Sequence, residues 1–94
     1  MGRNDEMLIE IRREPYVGQV LANADDAEIL ALRQINETNN GIYASWTVLC
    51  RLPRNTYTPY VVWTLIDRPE GWYCCRGDYF RSEPEATRRY GKRS

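Results

Sequence analysis

The chain has 94 residues, with thirteen Lys and Arg balancing thirteen Asp and Glu, and no histidine. That length supports one small globular domain with a single core, and zero formal charge argues against a dedicated polyanion binder, which is expected to be strongly basic. Without histidine, neither a Ser-His or Cys-His nucleophile pair nor a histidine-bearing zinc site can form, and no run approaches the roughly 18 apolar residues of a membrane span.

The first segment, residues 7–13, supports two readings. Met7, Ile9 and Ile11 alternate with Glu10 and Arg12 as in a strand, while Met7, Leu8 and Ile11 also fit a helical stripe behind an Asn4 or Asp5 cap. An extra N-terminal strand or extended arm is preferred, ended by Pro15, which pushes its predecessor out of the helical region. No apolar stretch leads to a small-residue cleavage site, so a cytoplasmic location is expected.

Residues 25–37 read as a helix. Asn23 or Asp25 can cap it, Asp25, Asp26 and Glu28 suit the positive end of its dipole, and Ala24, Ala31, Leu32 and Ile35 form a buried side. The Thr38-Asn39-Asn40-Gly41 cluster stops it. Residues 42–52 then alternate strictly, with Ile42, Ala44, Trp46, Val48, Cys50 and Leu52 on one face and Tyr43, Ser45, Thr47, Leu49 and Arg51 on the other.

Two further strands, 60–66 and 72–80, fold back on each other about Asp67-Arg68-Pro69-Glu70-Gly71. A five-residue turn sets Ile66 opposite Trp72, so Trp63 pairs with Cys75 and Val61 with Gly77. Matching apolar faces places Cys50 beside Val61, Val48 beside Trp63 and Trp46 beside Leu65. The core face is then Trp46, Val48, Cys50, Val61, Trp63, Leu65, Tyr73, Cys75 and Tyr79, with Gly77 packed closely on Trp63. A short helix over 83–92 follows, with Ser82 and Glu85 at capping-box spacing, Pro84 in its first turn and Ala86 and Tyr90 toward the sheet. The fold class is α+β: a three-stranded antiparallel meander, preceded by one helix and followed by another packed on one face.

Cys50, Cys74 and Cys75 are expected to be free thiols, because adjacent strand residues point apart and Cys50 and Cys75 are separated by about 10 Å across an intervening strand. Cys74, on the outer face beside Arg76, is the thiol open to reaction, although a small strand residue is the simpler reading. No Gly-rich phosphate loop, metal-ligand spacing or catalytic carboxylate pair stands out, so no cofactor, no metal and no enzymatic activity are expected. Arg76-Gly77-Asp78 spells an integrin tripeptide, but it falls within a strand rather than an exposed loop, so coincidence explains it better.

Function is therefore sought in binding. Tyr43, Arg51, Tyr60, Val62, Ile66, Trp72, Arg76 and Asp78 share the second sheet face, mixing the aromatic and arginine types enriched at interface hot spots. Charge is also polarised. Residues 1–40 hold eight acids and four bases, and the remainder five acids and nine bases. The element order resembles that of double-stranded RNA-binding domains, with Arg81, Arg88, Arg89, Lys92 and Arg93 near where such domains hold phosphates. Ser82-Glu83-Pro84-Glu85 stands where those domains carry a lysine cluster, which weakens the phosphate contacts the resemblance implies.

The expectation is a non-enzymatic protein that binds another protein or complex through Tyr43, Arg51, Tyr60, Trp72, Arg76, Asp78, Arg88 and Arg89. By analogy of size and composition it is a small phage or mobile-element inhibitor of anti-CRISPR type. A nucleic-acid module using the basic helix and sheet aromatics is the alternative, a homodimer is a further candidate, and no membrane partner is expected.

Overall fold

The structure, a computed structural model, describes residues 14–35, 44–68 and 71–93. Five antiparallel strands form one sheet in chain order: β1 (Val20–Leu21), β2 (Ala27–Gln34), β3 (Ser45–Arg51), β4 (Tyr60–Arg68) and β5 (Gly71–Phe80). One helix, α1 (Glu83–Lys92), follows. The α+β class holds, with a meander extended by two strands on its N-terminal side. The segment 7–13 and Tyr43 lie outside the described residues.

The helix expected over 25–37 is overturned by β2. Asp25 and Asp26 do not cap a helix: both take positive φ, 58° and 57°, and the Ala27 amide donates to the Ala24 carbonyl at 3.0 Å. They are the two central residues of a tight turn, both in the left-handed backbone conformation, a turn whose twist matches that of hairpin strands. Ala27 and Ile29 then alternate inward, both fully buried. A bulge between Ile29 and Ala31 inserts one residue, so that Ile29 pairs with Cys50 and Leu32 with Val48 on the same face. That extra residue turns a period of two into three-residue spacing, which imitates a helical stripe. Among the described residues no helix precedes the sheet, so the element order of double-stranded RNA-binding domains is not shown.

The β3/β4 register is the expected one, with Cys50 opposite Val61, Val48 opposite Trp63 and Trp46 opposite Leu65. These side chains form the larger core cluster together with Leu21, Ala27, Ile29 and Leu52. Each fully buried aliphatic or aromatic side chain among them contributes about 1.5–3 kcal/mol.

Along β5 the expected register is corrected twice. Ile66 pairs with Tyr73, Asp67 with Trp72 and Arg68 with Gly71, so pairing continues closer to the turn than a five-residue loop allows. The one-residue shift exchanges faces. Trp72 and Cys74 pack on the larger cluster, whereas Tyr73 is half exposed beneath the Arg68 guanidinium, 4.7 Å from its ring centre. A bulge opposite Trp63 then restores the parity, because Val62 pairs with Asp78 and Val61 with Tyr79. Arg76 occupies the bulge at φ 58°. Gly77 lies against the Trp63 indole, where an added Cβ would come within 2.5 Å of Nε1, and Tyr79 meets the same indole edge-on at 6.2 Å.

Helix α1 starts as its sequence dictates. Ser82 Oγ accepts from the Glu85 amide, a proline sits in the first turn, and acids precede bases along the axis. Ala86 is fully buried against Leu49 and Val62, with Tyr60, Phe80 and Tyr90 around it. The helix thus covers the face of the sheet opposite the larger cluster. None of the described helices is long and apolar enough to cross a membrane.

Candidate functional site

The C-terminal end of α1 is fastened to the β5 bulge by Arg93. A bulge interrupts the strand ladder, and buried backbone carbonyls then need other donors. Arg93 Nη1 donates to the Val62 carbonyl at 2.8 Å and to Asp78 Oδ2 at 3.3 Å. Its Nη2 donates to Thr64 Oγ1 at 3.2 Å and to the Arg76 carbonyl. Only 9% of the Arg93 side chain is exposed, and burial lowers its pKa from the ordinary arginine value, with Asp78 opposing that shift. The Arg93 carbonyl in turn accepts from Arg33 Nη2, whose guanidinium lies 4.5 Å from the centre of the Tyr90 ring.

This anchorage fixes the outward side of α1 relative to β5. Phe80, Glu85, Arg88, Arg89 and Lys92 line an open groove of about 380 Å³ between the helix and the end of the edge strand. Three cations and one carboxylate share it. Arg89 Nε stands 3.6 Å from Asp78 Oδ2, so one carboxylate holds both Arg89 and Arg93. Arg88 and Lys92, four residues apart and therefore on one side of the helix, make no ion pair among the described residues. Beside the start of α1, the Arg81 guanidinium lies 4.5 Å from the centre of the Tyr57 ring, and Tyr57 is two-thirds exposed. Asn55 Oδ1 accepts from the amides of Tyr57 and Thr58 at 3.1 and 2.9 Å, which orders the loop that carries this ring.

Of the residues expected on a single aromatic and arginine face, Arg51, Tyr60, Val62 and Asp78 do share one, onto which α1 docks, whereas Trp72 does not. Arg88 and Arg89 line the groove, Asp78 supports it from the strand, and Arg76 sits exposed in the bulge beside it. Tyr60 is half-buried under α1 and is part of the core beneath the helix. Arg51 lies directly opposite Tyr60 at the end of β3, exposed and paired with Glu28 at 3.0 Å. Trp72 belongs to the opposite face. Phe80 was not among the expected site residues, and Lys92 and Arg93 were expected only among the basic residues of the nucleic-acid alternative. Basic residues in the last turn of a capped helix, following an aromatic at the strand end, are the signal that points to the first two.

The three cysteines are unbridged. Cys74 is on the core face rather than the outer one, and burial raises its pKa to about 11, with Cys75 adding to the shift. Cys50, fully enclosed, is pushed up to about 12 by burial first and Cys74 second. A thiol held protonated in this way is a poor nucleophile. Among the described residues, no group of three His, Cys, Asp or Glu side chains is arranged to hold a metal ion. Comparison of the chain with protein-family models, curated proteins and solved structures found no match.

Proposed function

We propose that the chain is a non-enzymatic protein that works by binding another protein, and that the groove between α1 and β5 is the contact surface. The observation that carries this reading is the groove itself: two arginines and a lysine around an aromatic floor, fixed to the sheet by a buried arginine. Arginine and aromatic side chains supply large contact area with directed polar tips, and a rigid support lowers the ordering cost of binding. Arg76 is exposed in the β5 bulge, where its carbonyl meets Arg93 at the C-terminal end of the helix. Among the described strands β5 lies at the edge, but its bulge and its αL residue break the flat run of backbone groups that strand addition needs, which favours side-chain recognition over sheet extension. Inhibition of a host complex by a small phage or mobile-element protein fits this description by analogy of size alone.

A second reading, a nucleic-acid module, is favoured by the Arg81–Tyr57 stack next to the basic helix. Affinity capture from a nuclease-treated lysate separates the two. The wild-type chain is expected to retain a protein partner that the Arg88→Glu/Lys92→Glu variant loses. Loss of all captured material after nuclease treatment would favour the second reading, and equal capture by both forms would contradict the assignment of the groove.

A further inference from the structure

We infer that the groove takes a short acidic segment of its protein partner, with one or two carboxylates between Arg88 and Lys92 and an apolar side chain on Phe80. This rests on the protein-binding reading and specifies the chemistry of its partner.

Charge complementarity within the groove carries the inference. Arg88 and Lys92 lie one helical turn apart, about 5–6 Å between Cβ atoms, and neither is neutralised by an ion pair among the described residues. Arg89 is oriented by Asp78 from below, with Nε at 3.6 Å from the carboxylate, which leaves the rest of its planar guanidinium to meet a ligand. Phe80 is packed against the Leu49, Val62 and Ala86 cluster and also lines the groove, so its ring is a fixed apolar surface among the cations. A ligand that satisfies all of these has negative charge next to apolar surface, as Asp or Glu beside a Leu or Phe does.

Nearby carboxylates set the length of that ligand. Glu85 lines the groove, Glu83 stands in the first turn of the same helix, and Asp78 lies at the strand side. They interrupt the positive potential on either side of Arg88 and Lys92. A continuous phosphate backbone would run over like charge within a few residues of the groove, and a short acidic peptide would not. The zero net charge of the chain supports the same distinction, because long polyanions are bound by an extended positive field.

The test is an amide-resolved NMR titration of the full chain with three probes. The first is a short peptide in which Asp and Glu flank a single Phe. The second is its Asn and Gln counterpart, and the third is oligothymidylate of similar length. The acidic peptide is expected to shift the amides of Phe80, Glu85, Arg88, Arg89 and Lys92, and to bind less well as salt is added. In Arg88→Glu/Lys92→Glu, whose exposed positions leave the fold intact, affinity should fall at least about tenfold. The uncharged peptide and the oligonucleotide should leave those amides in place. Equal shifts with the uncharged peptide, or none with the acidic one, would overturn the acidic chemistry; the protein-binding reading would survive if capture of a partner still depended on Arg88 and Lys92. Stronger shifts with oligothymidylate would overturn both.

Discussion

Replacing Arg93 with Ala removes a donor from the Val62 and Arg76 carbonyls and the Thr64 hydroxyl, and leaves Asp78 short of one cation. Each unsatisfied buried group costs about 1–3 kcal/mol, less where water can reach it. Arg93→Ala is therefore expected to lower unfolding stability by about 2–3 kcal/mol in urea titrations, and Arg93→Lys to recover little of it, because one ammonium cannot reproduce a fork across four acceptors. Thr47 has the opposite fault. Its hydroxyl is buried with no hydrogen-bond partner among the described residues, so Thr47→Val should raise stability by about 1 kcal/mol. The thiols add a pH dependence. Cys50 and Cys74 have folded pKa values of about 12 and about 11 against an ordinary 9.0, so above pH 9.0 the unfolded chain releases protons that the folded chain keeps. Stability is fully present below that pH and falls as pH rises toward the folded values, by up to about 1.4 kcal/mol per pH unit for each thiol. Cys50→Ala/Cys74→Ala should flatten this alkaline decline in urea midpoints collected across the range. At this scale the sequence was informative about types rather than partners. That Gly77 must meet Trp63 follows from its strand position, whereas the role of Arg93 depends on a bulge in another element and has no local signature.

Elements that carry their own start and stop signals were legible with their boundaries. The cap at Ser82, the proline beside it and the order of charges define α1 as Glu83–Lys92. Ser82→Ala removes the acceptor for the Glu85 amide and should cost about 1 kcal/mol in urea unfolding, with a matching loss of helical circular dichroism. Strict alternation likewise placed β3 and β4 in their observed register, since a one-residue slip would expose Val48 and Trp63. β2 failed because two Asp residues can serve either a helix start or a left-handed turn, and the bulge after Ile29 removed the alternation that would have decided between them. The face of β5 failed for a related reason. Its register changes by one residue near the turn and again at Arg76, so Cys74 and Cys75 exchange sides while Asp78 and Tyr79 keep theirs.

For the molecule as a whole, composition and charge narrowed the functional class without locating the surface. Polarisation between the two parts of the chain was visible in the sequence, but the grouping of Arg88, Arg89 and Lys92 over Phe80 needs the docking of α1 on Leu49 and Val62. The face first suggested for binding is largely occupied by that docking, which is why Tyr60 is core and Arg88 is surface. Binding through the groove should therefore depend on where charge is placed and not on its total. The most direct measurement compares two charge-reversed variants of equal net charge, Arg88→Glu/Lys92→Glu and Arg54→Glu/Arg68→Glu, for capture of a protein partner at matched unfolding midpoints. Loss of the partner in the groove variant alone is the predicted result. Equal retention or equal loss in the two variants would contradict the groove as the contact surface.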